Sequence, residues 1–431
     1  MKTLTILLLS LMAVSLHAAD RTTPREIQTP YPTLTNLAVE WQIDGDDKLD
    51  ATCEVKFRKA GEVTWHNGMP LRRVPAGTSQ KTNPIVSWTN RLSGSIFDLE
   101  PGTEYQIALK LHDPDRGDAT KTVKASTRPE PVAAADAVTR NGSKADLNSV
   151  KPGEGIQITG SGNVIRHNHV SGFRDCLSHM EDDGAAPQMR NDWLNNDISV
   201  GLDDGIEADF AMSDCRVIRN RITNCFVGIS SQPGLGGPNY FIRNVMFNFT
   251  YSAFKLHRYS MGDVILHNTI VKSGDGFGNY TSEPFDHALI QSNLFIGGKA
   301  HDAKYGGYSP GRGRAADVQQ FGDHCVFDYN AYAVNGVPFE GKFRSWTFTK
   351  LPGTDYEPHG VQLGMDVLAV MTFPEDPTLV YSSPDLRPRK DSAVVDAAIR
   401  IPNVNDNFAG QQPDIGAYET GQVLPIYGPR Q

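Results

Sequence analysis

Three aligned stretches decide the fold: V-I-R-N-R-I-T-N-C-F-V-G-I-S (217–230), F-I-R-N-V-M-F-N-F-T-Y-S-A-F-K (241–255) and V-I-L-H-N-T-I-V-K-S-G-D-G-F-G (264–278). Each is a short alternation of apolar and polar residues broken by Asn or Gly, which reads as strand, turn, strand, turn. Working outward, the Asn of each line belongs to a series, Asn168, Asn196, Asn220, Asn244, Asn268 and Asn293, at intervals of 28, 24, 24, 24 and 25 residues. A period this regular means one structural unit stacked repeatedly. Helical repeats of that length need longer uninterrupted runs of 3.6 periodicity, and the chain has none. The unit predicted is one coil of a parallel β-helix, with the Asn residues stacked as a ladder at equivalent turns. Equivalent positions in successive coils then lie roughly 4.8 Å apart.

The ends of the chain and its composition bound the reading. Residues 1–19, M-K-T-L-T-I-L-L-L-S-L-M-A-V-S-L-H-A-A, combine one Lys, an apolar core and small residues at the end. They read as a signal peptide, so a secreted or periplasmic protein is expected. No later apolar run is long enough to span a bilayer. About 410 residues remain after the leader, enough for two domains with their own cores. A formal charge of -9 argues against a nucleic-acid partner. It argues less against an acidic polysaccharide, because a local basic cleft can sit on an acidic protein. Five Cys in a long chain make no disulfide scaffold, and buried small side chains with at most one or two bridges are expected. Nothing in the sequence signals an oligomer, and a monomer is expected.

Residues 25–128 have a different texture. L-A-V-E-W (38–42), A-T-C-E-V-K-F-R (51–58), E-Y-Q-I-A-L-K-L (104–111) and K-T-V-K-A-S-T (121–127) are alternating strands separated by polar turns. With Trp41 on an early strand and L-E-P-G-T-E-Y ending at Tyr105 as a tyrosine corner, this part resembles a fibronectin type III β-sandwich. Such modules act as spacers or docking surfaces, and the resemblance assigns no chemistry to it. Residues 129–139 read as a linker, and 140–431 as the β-helix. Stretches 299–327 and 337–375 lose the period and read as long loops that wall a groove. The expected fold class is all-β: a right-handed parallel β-helix preceded by a small sandwich.

The chemistry concentrates in G-L-D-D-G-I-E-A-D (201–209). Asp203, Asp204, Glu207 and Asp209 repel one another unless solvated, protonated or neutralised by a cation. Hard oxygen ligands at this density favour Ca2+. Counting back from Leu177 and Ile206 aligns Asp175 of the preceding coil with Asp204. A calcium site of Asp175, Asp203, Asp204 and Glu207 follows, a solvated acidic turn being the alternative. Aligning Phe254 with Ile229 and Ile206 puts Lys255 in one column with Ser230 and Glu207, on the order of 10 Å from Glu207 along the backbone. A cation facing carboxylates across one sugar is what uronate elimination needs: the metal neutralises the substrate carboxylate and a neutral amine takes the adjacent proton. Lys255 must then lie well below its usual value of about 10.4; the alternative is a Lys255 that is solvated or paired with an acid on a neighbouring coil. His257 and Arg258 are the supporting catalytic candidates, with Arg243 and Asp209 as candidate substrate contacts; each could instead be structural.

In R-D-C-L (174–177), D-D-G-I-E (203–207) and F-K-L (254–256) the chain resembles the β-helix pectate lyases of polysaccharide lyase family nine. The resemblance covers the helix domain and implies calcium held by Asp175, Asp203, Asp204 and Glu207, with Lys255 as the Brønsted base. Glu207 departs from the family's Asp, which bears on metal geometry. His257 and Arg258 stand where glycines are usual, which bears on the substrate. The leading expectation is a secreted, calcium-assisted lyase of a uronate-containing glycan. The rivals are an inverting glycoside hydrolase or a uronate epimerase using the Asp cluster, and a non-catalytic glycan-binding surface protein.

Overall fold

The computed structural model describes residues 20–132, 153–181, 187–302 and 308–430. The expected leader and residues 133–139 of the expected linker lie outside the described residues. The described chain is all-β, with no helix, and no helix long and apolar enough to cross a membrane.

The N-terminal strands pair antiparallel. Thr23–Gln28, Leu37–Asp44, Arg91–Ile96 and the end of His66–Val74 form one face; the start of His66–Val74, Thr52–Lys59, Glu104–His112 and Ala119–Ser126 form the other. His66–Val74 turns the corner between them: Gly68 and Leu71 pair with the third strand, while Arg72, Arg73 and Val74 pair with Arg91–Ile96. Alternating residues from both faces, Val39, Trp41, Val55, Leu92, Ile107 and Leu109 among them, fill a sandwich-like core. The Tyr105 hydroxyl accepts a hydrogen bond from the Glu100 amide at 2.9 Å and closes the turn before its strand.

From Ile156 onward the strands pair in parallel, each with its counterpart one coil later. One ladder runs Ile156–Ile158, Leu177–His179, Asp197–Glu207, Arg221–Ser231, Val245–Leu256, Thr269–Val271, Leu294–Gly298, Ala331–Asn335 and Val361–Gln362. A second runs from Val164–Arg166 to Val326–Asp328. The coils therefore continue well past residue 298, where the regular spacing is lost, because chain outside the ladder, such as 308–315, interrupts the sequence period without interrupting the stack. Inside, Phe254 meets Phe277 edge to face, and Phe277, Phe295 and Tyr332 stack from coil to coil. All five cysteines are free.

The Asn ladder is the spine of the turns. In each step the side-chain oxygen of one Asn accepts both the backbone and side-chain N–H of its predecessor, at 2.9–3.0 Å for Asn196, Asn220, Asn244 and Asn268. The ladder adds a seventh rung, Asn330, and ends on the Glu357 carboxylate at 2.7 Å. The residue before each rung turns the chain in the left-handed region: His167, Asn195, Arg219, Arg243, His267, Ser292 and Tyr329 have φ of 52–57°.

The sandwich is no detached spacer. Asp192 and Arg216, on adjacent coils, pair at 2.7 Å with neither side chain exposed. Asn36 donates to Asp192 at 2.7 Å, and Arg216 donates to Ser95 at 2.9 Å. Ser93 and Ser95 donate to Asp214 at 3.0 and 2.7 Å, and the Ser95 amide donates to the Tyr240 hydroxyl at 3.1 Å. A contact this polar and this buried fixes the position of the module on the helix.

Two buried histidines are wired as neutral rings. Nδ1 of His179 faces the Asp209 carbonyl at 2.9 Å while Nε2 faces the Asn191 amide at 3.0 Å; His267 repeats the pattern with Asp414 at 3.1 Å and Asn405 at 2.8 Å. Each arrangement fits an Nδ1–H donor and an Nε2 acceptor. Burial lowers His179 to about 4, and burial with nearby Arg243 lowers His267 well below its usual value. The unfolded rings take protons below about 6.5. Both residues therefore contribute stability above that pH that is lost as pH falls below it, for His179 as pH falls towards 4. Nitrogen NMR of the imidazoles should show both still Nδ1-protonated and neutral at pH 5; an ordinary midpoint for either ring would contradict this wiring.

Candidate active site

The column read from the sequence is present. Leu177, Ile206, Ile229 and Phe254 are register partners pointing into the core, and the next residues, Ser178, Glu207, Ser230 and Lys255, form the neighbouring column. Alternation along a strand turns the second column away from the core once the first is buried. The strand Asp197–Glu207 slips register between Gly201 and Asp204, and such an irregularity bends the strand. That bend lets the neighbours Asp203 and Asp204 approach one centre, where a regular strand would send them to opposite faces.

Asp175, Asp203 and Asp204 each offer an oxygen within 4.8 Å of the others. One Asp175 oxygen accepts the Asp204 amide at 2.8 Å and the other pairs with Arg174 at 2.8 Å. Asp204 is fully buried; one oxygen meets Lys255 Nζ at 2.8 Å, and the other has no partner. Glu207 meets Asp175 in a second group of three, whose third member is Glu154. A further group joins Glu207 to Asp209 and Glu181.

Glu154 and Glu181 escaped the sequence reading. Glu154 carried a signal: Ile156 pairs with Leu177, so counting back two residues extends the Asp204–Asp175 column by one more coil. Glu181 carried none, because it lies where the insert at 180–190 breaks the period. Arg174 bridges Glu154 and Asp175 at 2.7 and 2.8 Å.

So many buried carboxyls raise one another. Burial first, then Asp209, Asp175 and Asp204, push Glu207 up to about 11. Burial, against the opposing pull of Lys255, sets Asp209 at about 7, and burial with Asp175 sets Glu154 at about 7. Burial also raises Asp203 and Asp204. Unpartnered buried oxygens on Asp204, Asp209 and Glu154 remain. Convergent hard oxygens lacking hydrogen-bond donors, in an environment that penalises their negative charge, fit a divalent cation of the calcium type.

Several expectations change. Lys255 does not reach Glu207; its amine leans back to Asp204. Its pKa is raised, not lowered: burial acts downward, but Asp204, Asp209 and Asp203 outweigh it. With the carboxylates uncompensated, Lys255 is held as a cation. His257 is neutral, lowered to about 4 by burial and by Lys255, with a buried unpartnered Nε2. It therefore holds no surplus proton at neutral pH. Asp209 is fully buried, accepting Ser230 Oγ at 2.5 Å and the Gln232 amide at 2.8 Å, so it supports the site from beneath and touches no surface. Arg243 lies elsewhere, because it occupies the left-handed turn before Asn244; its guanidinium donates to the Ala417 carbonyl at 3.3 Å against the C-terminal tail. Arg258 is exposed, three residues beyond Lys255.

No family model and no curated protein matches the chain. Among solved structures, a computer-redesigned β-sandwich protein matches 24% of this chain and 95% of its own at 18% identity, with a TM-score of 0.15. A family 28 exopolygalacturonase from Yersinia enterocolitica matches 74% of this chain and 85% of its own at 11% identity, with a TM-score of 0.22. At such scores neither carries an argument about chemistry, and the reading of the site rests on its own residues.

Proposed function

We propose that the chain is an exported, monomeric, calcium-assisted lyase that cleaves a uronate-containing glycan by β-elimination. One observation carries the reading: a single lysine, Lys255, reaches back along the coil axis into a set of convergent buried carboxylates, meeting Asp204 at 2.8 Å. Asp175, Asp203, Asp204 and Glu207 would hold the ion, with Glu154 and Asp209 behind them. Bound there, calcium supplies positive charge against the substrate carboxylate and makes the neighbouring carbon-bound proton more acidic.

The chain's own residues do the rest. Once the carboxylates are compensated, the upward pull on Lys255 weakens and burial, which acts downward, favours the neutral amine. Lys255 Nζ takes the proton next to the carboxylate, the electrons form the ring double bond, and the glycosidic oxygen leaves. His257, held neutral, has no surplus proton to give, so this reading draws the proton for that oxygen from solvent. Asp209, through Ser230 and Gln232, keeps the strand beneath the site in place.

A hydrolase reading has one observation in its favour: a carboxyl raised as far as Glu207 is protonated at neutral pH, as a general acid requires. The mass of oligosaccharide products separates the two. At each cut elimination leaves one of the two fragments unsaturated and lighter by one water than its hydrolytic counterpart; the lyase reading expects these lighter fragments, and hydrolysis yields none. Calcium itself is tested without turnover. Calcium at 100 times its Kd should stabilise the fold by about 2.7 kcal/mol, reversibly with chelator, and Asp204→Asn should lose most of that gain. An unchanged melting curve in millimolar calcium would remove the metal from the account.

A further inference from the structure

Two residues past the Lys255–Leu256 pair, the chain makes a turn that few sequences would choose. The Ser260 amide donates to the His257 carbonyl at 3.1 Å, and the two central residues, Arg258 and Tyr259, have φ of 54° and 63°. Those positions of a hairpin-type turn are dominated by Gly, Asn and Asp, because a larger side chain is strained there. The turn is held by Ser260, whose hydroxyl meets Asp263 at 2.7 Å, Ser231 at 3.0 Å and the Gly234 amide at 2.8 Å, all buried.

The turn overlooks a cavity of about 290 Å³. Arg258 and Tyr259 wall it on the helix side, and Thr78, Ser79 and Gln80 of the N-terminal module wall it on the other. Lys81, next in that loop, pairs with Glu283 of the β-helix domain at 3.0 Å across the two walls. Arg258 is exposed, and no carboxylate pairs with it among the described residues. Asp286 also borders the cavity, but its oxygens are engaged by the backbone amides of His287 at 2.7 Å and His324 at 3.2 Å and by the His324 ring at 3.2 Å.

We propose that this cavity is a subsite for a uronate residue of the glycan flanking the one that reacts, built jointly by the β-helix and the N-terminal module. Arg258 grips its carboxylate with the guanidinium fork, while the exposed Gln80 hydrogen-bonds its ring hydroxyls; Ser79, buried and bonded to the Val86 amide at 2.9 Å, holds the loop that carries it. The module thereby becomes part of the substrate groove. This rests on the uronate reading above and extends it.

The test is calorimetric binding of acidic oligouronides to the Lys255→Ala protein, which binds without turning over. Adding Arg258→Asn, which tolerates the left-handed turn, should weaken binding about 10- to 100-fold. Gln80→Ala, the module variant, should weaken it about 3- to 10-fold, and carboxyl-reduced oligosaccharides should be insensitive to Arg258→Asn. In the otherwise wild-type enzyme, the same changes should raise KM far more than they lower kcat. Oligouronides that bind the module variant and the Arg258→Asn variant as tightly as the parent would overturn the subsite while leaving the lyase reading intact. Failure of every oligouronide to bind the parent would instead remove the uronate reading on which the subsite stands.

Discussion

Lys255→Ala should reduce elimination by at least about 10²- to 10⁴-fold, the usual worth of a positioned general base, while leaving the coil stack and calcium binding in place. The side chain is outward in a column whose inward neighbour, Phe254, carries the packing, so the fold loses little apolar contact. The charge balance changes more: Asp204 loses its cationic partner at 2.8 Å, and its carboxylate becomes freer for a metal. Calcium affinity in Lys255→Ala should therefore hold or rise. Lys255→Arg tests the base more sharply, because a guanidinium keeps the charge and the ion pair yet cannot be deprotonated in a protein. It should be as inactive as the alanine variant. An arginine variant with near-normal turnover would show that Lys255 acts through its charge and that another group takes the proton.

The second large effect lies away from the site. Asp192→Ala should cost about 3–5 kcal/mol, the range for stripping one partner from a buried ion pair. Arg216 would be left with no exposed surface and no carboxylate within hydrogen-bond reach, one of its terminal nitrogens already being unpartnered, and Asn36 would lose its acceptor. Against a typical total stability of 5–15 kcal/mol, that is a large share, and urea unfolding measures it. Because the same contacts hold the sandwich on the coil, the variant should also lose cooperativity between the two parts. Replacing both partners with apolar residues should recover much of the loss. A cost below about 1 kcal/mol for Asp192→Ala would mean that the interface is wetter and looser than its geometry.

The coil stack was legible because its determinants are local and periodic. An Asn at each turn and an apolar residue at each inward position recur at one interval, so counting alone yields the register Ile206–Ile229–Phe254, which strand pairing reproduces residue for residue. The same counting reaches Lys255, Asp175 and, one coil further back, Glu154. It fails where information is not periodic. Arg243 sits in the repeat but at its left-handed turn, and a strand pattern alone cannot distinguish a residue aimed at a groove from one aimed at the tail. Asp209 reads as one more acid in a cluster, yet it is fully buried, with Ser230 and Gln232 bonded to one of its oxygens. The direction of the Lys255 shift depends on how many carboxylates surround the amine in space, a quantity that spacing does not carry. Nor does composition reveal the docking of the sandwich, which depends on Ser93, Ser95 and Asn36 meeting Asp192, Asp214 and Arg216 across 119–156 residues of chain.

The most direct test of the account is ultraviolet absorbance of conjugated, unsaturated product during incubation with pectic, algal and animal uronate polysaccharides, with calcium and again with chelator. The account predicts a rise on one class of substrate that chelator abolishes and added calcium restores. New reducing ends without any rise in absorbance would contradict it, and would assign the Asp203–Glu207 cluster to hydrolysis.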